Sequence, residues 1–343
     1  NVNSMRYLFI RFKIEYIDDL GDLVTTGIKD SEDYQLLNGY LKYTDELDLV
    51  GVNFGYNLSN FNLSSQTDTF LSNAPTTQYA NLEDYGTLAF LAPDDNLSYI
   101  RLQYKDSTGT QIGTENLDRL TVNGAYDSYN GDIGMNLLYF GCFPANLQGS
   151  STIFQALVTA GTIQGGSIVI QAFDNASNRI ATQYKINLNC TTLKGFDPIR
   201  LTWLNQWGVW DYYTFTMKSS KTISTKGSTY QQLAGSWNES AYRIDSFKGG
   251  KKSFRVNATE KITMNTDFVN ESESEWFEEL INSPEVYILD GFQADSSLSS
   301  LNNYVTPVRL TTSSYTKKTV ANDKLMQYTF EVEKSKTLRT QSV

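Results

Sequence analysis

The chain has 343 residues, 28 Lys and Arg against 38 Asp and Glu for a net charge of −10, and no histidine. Without imidazole, Ser/His/Asp and Cys/His nucleophile pairs, histidine general bases and histidine-containing metal sites are all excluded. The acidic balance argues against nucleic acid as a partner, and the one basic run, Lys248, Lys251, Lys252 and Arg255, is too short to reverse it.

The length exceeds the roughly 300 residues at which one hydrophobic core stops growing, so two or three domains are expected. Twenty-two Tyr and 18 Phe, few charges and abundant Asn, Ser and Thr point to an all-β, turn-rich protein. No run approaches the roughly 18 apolar residues of a membrane-spanning helix, and NVNSMRYLFIRF carries no signal-peptide core. The expectation is a chain made in the cytoplasm that contacts no membrane. Cys142 and Cys190 are too few for a disulfide framework or a zinc site and read as buried thiols.

From Tyr7 to Tyr16 the chain alternates, with Leu8, Ile10, Phe12, Ile14 and Tyr16 on one face, which predicts a half-buried strand. The turn Asp18–Asp22 follows, and Leu23-Val24 begins a return strand. The same device recurs after Ile100–Lys105 at Asp106 and after Ile168–Phe173 at Asp174. In all three, Asp precedes the next apolar β residue by six positions: Val24, Ile112 and Ile180. Three such hairpins predict β-sandwich units. Residues 53–98 are loop-rich and expected to be peripheral. The run Gly134–Phe143 reads as a buried strand, and Thr152–Thr159 as a strand or a short helix.

All five tryptophans lie beyond Cys190, which places a boundary near 190–198. Strands are expected at Arg200–Leu204, Trp210–Thr216, Phe254–Val256, Lys261–Met264, Val286–Leu289, Pro307–Leu310 and Leu325–Val332. One short helix is expected near 271–282, capped by Asn270 or Ser272 and stopped by Ser283-Pro284. The predicted architecture is therefore two to three β-sandwich-like domains. They comprise an N-terminal β-rich region with a long loop (1–94), a sandwich-like domain (95–192), and a Trp-rich C-terminal β domain with one helix and a terminal arm (193–343).

The acid pairs Asp18/Asp19, Asp94/Asp95 and Glu278/Glu279 read as solvated turn and helix positions, although two opposed carboxylates are what glycoside cleavage needs. The acidic turns lack the alternating ligands of a calcium loop, and no metal or cofactor is expected. The densest feature is Trp203, Trp207, Trp210, Tyr212, Tyr213 and Phe215. Core packing, an assembly interface and sugar stacking compete for it. Alternation puts aromatic residues on both faces of the second strand, which suggests that both faces are covered.

The stretch Trp203-Leu204-Asn205-Gln206-Trp207-Gly208-Val209-Trp210-Asp211-Tyr212-Tyr213-Thr214-Phe215 resembles a W-L-N-x-x-G-x-x-D-Y-x-x-F signature of large virion proteins of tailed phages, of marine and crAss-like type. Residues 275–288, Thr306-Pro307-Val308 and 317–332 are similar in order and spacing, and the likeness extends over roughly residues 95–343. It implies a non-enzymatic virion subunit of the tail or the connector and fibre-attachment region. Such a subunit works in several copies, with other virion proteins and copies of itself as partners. Rival readings are a tail fibre protein binding a receptor or host surface glycan, a glycan depolymerase, and a capsid decoration protein.

Overall fold

The computed structural model describes residues 5–31, 34–40, 61, 63–92, 97–118, 136–189, 196–238, 241–244, 246–290, 304–314, 316 and 326–336. Asp94, Asp95, Cys190 and most of the expected terminal arm lie outside them. The fold is all-β with several sheets. It divides into two units: 1–190 with 203–212 and 282–284, and 191–202 with 213–281 and 285–343.

The first unit opens with a two-stranded ribbon. Strands β1 (Met5–Leu8), β2 (Arg11–Phe12) and β3 (Glu15–Ile17) run out, and β4 (Leu23–Thr25), β5 (Lys29–Asp30) and β6 (Tyr34–Leu37) run back. They pair antiparallel as β3 with β4, β2 with β5 and β1 with β6. Between the short pieces, side-chain hydroxyls replace ladder acceptors: Ile10 N donates to Ser31 Oγ, and Ile14 N to Thr26 Oγ1.

Then follow β7 (Thr77–Ala80), β8 (Leu88–Ala92), β9 (Tyr99–Lys105), β10 (Gln111–Asp118), β11 (Asn136–Phe140), α1 (Pro144–Ser150), α2 (Thr152–Thr159), β12 (Ser167–Phe173) and β13 (Tyr184–Leu188). A five-stranded sheet has the order β10-β9-β12-β13-β7, and β8 pairs with β11 as a second, small sheet. Phe90 and Phe140 from the small sheet share one core with Leu102, Ile170 and Ile186 from the large one and with Leu147 and Phe154 from the helices. Two sheets closing on a common core make this unit sandwich-like.

Three expectations need correction. Residues 53–98 are not peripheral where described, because all five residues of β8 are buried and β7 is a strand of the large sheet. The boundary between 94 and 95 falls inside the first unit. The reason is the parallel pairing of β7 with β13, more than 100 residues later, which no local pattern reveals. Among the described residues there are three helices longer than one turn, not one. Pro144 starts α1 where its missing N–H costs nothing, and the Ser151 hydroxyl accepts from Phe154 N to start α2.

The second unit is built on a seven-stranded sheet of order β15-β14-β20-β21-β22-β19-β16. The strands are β14 (Ile199–Leu204), β15 (Trp210–Phe215), β16 (Ser220–Gln232), β19 (Gly250–Asn265), β20 (Val286–Leu289), β21 (Val305–Leu310) and β22 (Thr329–Lys334), with β17 (Gly235–Asn238) paired to β18 (Ala241–Ile244) between β16 and β19. The runs 254–256 and 261–264, expected as separate strands, are one 16-residue strand, β19.

The helix α3 (Glu271–Asn282) stands where expected. Asn270 Oδ1 accepts from Glu273 N while Glu273 Oε2 accepts from Asn270 N, a reciprocal cap. Its apolar face sets Phe277 against Phe215 and Phe330. Residues 203–212, the ends of β14 and β15 with the turn between them, group with the first unit.

Candidate assembly surfaces

The acidic turns are spent on their own backbones. Asp18 Oδ1 accepts from the N–H groups of Leu20 and Asp22, Asp106 Oδ1 from those of Thr108 and Thr110, and Asp174 Oδ1 from that of Asn178. Each turn closes with a carbonyl bond from the third residue along, Gly21, Gly109 or Ser177, all at positive φ. Hydrogen bonds from Thr108 and from Asn178 hold the Asp106 and Asp174 carboxyls below the usual range. Such carboxylates are acceptors in turns, and among the described residues no cluster of three or more Asp, Glu or Cys fits a metal ion.

The same turn occurs a fourth time, inside the W-L-N-x-x-G stretch. Asn205 Oδ1 accepts from Trp207 N and Val209 N, and Gly208, at φ 73°, donates to the Asn205 carbonyl. Asn replaces Asp here because the residue is buried and its amide also donates, to the Leu71 carbonyl at 2.9 Å. A carboxylate would have no hydrogen to give. The segment 38–40 lies directly on this turn: Tyr40 N donates to Gln206 O, and a Cβ on Gly39 or Gly208 would collide with Gln206 O or Asn38 O. The Asn and Gly of the signature thus have a structural cause.

Among the six aromatics singled out from sequence, Trp203, Trp207 and Phe215 are buried, while Trp210, Tyr212 and Tyr213 are half-buried. Trp207 meets Phe61 at a tilt of 51° in a small core with Leu71, Leu91 and Val209. Tyr212 meets Phe143, and its hydroxyl pairs with Thr87 Oγ1. Tyr213 lies edge-on to Phe277 and Phe215, and burial raises its phenol pKa. The stretch supplies core to both units and offers no open aromatic platform.

Exposed apolar surface lies elsewhere. On the ribbon, Leu8, Ile10, Phe12, Ile14 and Tyr16 are between 44% and 54% exposed, so the face expected to be half-buried stands largely open among the described residues. The opposite face is mixed: Arg11 grips Asp30 with two hydrogen bonds, while Phe9, Ile17 and its partner Leu23 are also exposed. A second surface caps the β16–β19 hairpin: Leu233, Ile244, Phe247 and Phe254 are each more than 70% exposed. Lone exposed apolar residues are ordinary, but contiguous rows of them mark interaction sites.

The shallow cleft on β9 and β10 is lined by Arg101, Gln103, Gln111, Thr114, Glu115 and Asn116. Its adjacent aromatic pair, Tyr99 and Phe173, is already covered, because the Arg101 guanidinium sits 4.6 Å over the Phe173 ring where a sugar would stack. Glu115 is bound by the Tyr104 and Ser151 hydroxyls. Glu279, expected to be solvated, is 1% exposed because it faces inward from α3. No described helix is long and apolar enough to cross a membrane. Comparison with family models, with curated proteins and with solved structures finds no match to this chain.

Proposed function

We propose that the chain is a non-enzymatic structural subunit of a tailed-phage virion, of the tail or the connector and fibre-attachment region, that works by multimeric assembly. The observation that carries this reading is the uncovered apolar row of the ribbon. A two-stranded ribbon is marginal in water unless something covers a face, and five large apolar side chains on one face demand a cover. The virion setting rests on the resemblance of residues 203–215, and the acidic charge keeps free subunits soluble before they join.

The test is a mass measurement on the purified chain across a concentration series, with the protein content of washed phage particles determined alongside. Discrete multimers, and retention in particles in a fixed ratio to other structural proteins, are expected. A chain that stays monomeric at every concentration and washes off particles overturns the proposal.

A further inference from the structure

The ribbon and the β16–β19 hairpin differ in one decisive way, their charge. Between residues 5 and 37 the sequence has seven acids against four bases, a net −3. Arg11 and Lys13 are already engaged with Asp30 and Glu15, and three of the five remaining acids, Asp18, Asp19 and Asp22, belong to the turn. Between residues 220 and 257 there are seven bases against two acids, a net +5 in a chain of net −10. Lys251, Lys252 and Arg255 stand exposed beside Phe254, with Lys248 next to Phe247.

Both surfaces are thus amphipathic, and in opposite senses: apolar with acids, apolar with bases. Strand β16 also ends the seven-stranded order, and its first 12 residues are exposed. An edge this long is a template for further strands, and Lys221 and Lys226 are the kind of charges that block a chance partner while admitting an acidic one.

Building on the assembly reading above, we propose that the acidic ribbon of one copy docks on the basic β16–β19 hairpin of a second copy. The row Leu8, Ile10, Phe12, Ile14 and Tyr16 meets the apolar residues of the hairpin, and Asp18, Asp19 and Asp22 meet its Lys and Arg. The two surfaces are different, so the contact is head to tail and heterologous. Every copy keeps one ribbon and one hairpin to offer, which builds rings where the rotation closes and fibres where it does not.

A charge swap tests the pairing. One variant carries Asp19→Lys and Asp22→Lys and leaves the turn-capping Asp18 in place; the other carries Lys251→Glu and Lys252→Glu. Each alone sets like charges against each other and should raise the dissociation constant of self-association at least about tenfold. Mixed in equal amounts, each ribbon again finds an opposite hairpin, and association should return to near the wild-type value in alternating copies. Circular dichroism establishes that both variants are folded. Because Asp19, Asp22, Lys251 and Lys252 are exposed, a folding failure is not expected, and conservative Asp19→Asn and Lys252→Gln versions give the same pairing logic at smaller amplitude.

Variants that associate like the wild type, or a mixture that fails to recover, overturn the ribbon-to-hairpin pairing while leaving assembly in place. A wild-type chain that is monomeric throughout overturns both.

Discussion

Asn205 performs two tasks in one buried position: its amide oxygen closes the turn to Trp207 and Val209, and its amide nitrogen donates to Leu71. Asn205→Ala should cost about 2–4 kcal/mol, because it strands buried backbone groups on both sides. The melting temperature should fall by about 5–15 °C in a calorimetric scan, and a change within 2 °C would show that the turn holds without the side chain. Asn205→Asp keeps the acceptor, loses the donor and faces a carboxylate toward a carbonyl. With no hydrogen to give to the Leu71 carbonyl, this variant should also melt below the wild type in the same scan. Three of the four turns were legible as Asp followed by an apolar strand residue six positions on. The fourth was not, because its first residue is Asn and its sixth follower is Asp211. Three of the four share an acceptor residue with Gly three places later, Asp18 and Gly21, Asp106 and Gly109, Asn205 and Gly208, while the Asp174 turn has Ser177 at that place.

At the scale of elements, the same alternation serves opposite ends. In β9 the residues Ile100, Leu102 and Tyr104 alternate and are buried, while in the ribbon Leu8, Ile10, Phe12, Ile14 and Tyr16 alternate and are exposed. Period two shows which side of a strand is apolar and says nothing of what covers it. The distinction is testable by replacing Ile10, Phe12 and Ile14 together with Thr, which keeps strand propensity and removes apolar area. The thermal midpoint should barely move, since exposed substitutions change stability by about 0.5 kcal/mol or less each, and self-association should weaken at least tenfold. Trp207→Ala is the counterpart: truncating this buried ring should cost about 3–5 kcal/mol while the folded fraction associates normally. A ribbon variant that loses stability as Trp207→Ala does would make the row part of the subunit's own core. The helices followed similar logic. The Asn270 cap and the Trp276, Phe277, Leu280 face made α3 readable, whereas Thr152–Thr159, which forms α2, fits a strand as well, and the short α1 has little beyond Pro144 to announce it.

For the whole molecule, charge is distributed against the average. With +5 on residues 220–257, the remainder of the chain carries −15, so a basic hairpin is set in an otherwise acidic sequence. That asymmetry was visible as a run of Lys and Arg, but its meaning was not, because the two strands that bring Lys226, Lys251 and Arg255 onto one hairpin pair residues from 18 to 43 positions apart. The boundary near 190 was visible for the opposite reason, a change in composition along the chain. If acidic and basic surfaces of successive copies meet, association must respond to ionic strength. Raising NaCl from about 0.05 to 0.5 M shrinks the screening length from roughly 14 to 4 Å and weakens contacts between exposed charges. The dissociation constant should rise about tenfold over that range and then level off, because burial of Ile10, Phe12 and Ile14 is not screened and salt favours it. Sedimentation at several salt concentrations reads this directly. Association that strengthens steadily with salt would mean an interface built from the apolar row alone, with the basic hairpin serving some other contact.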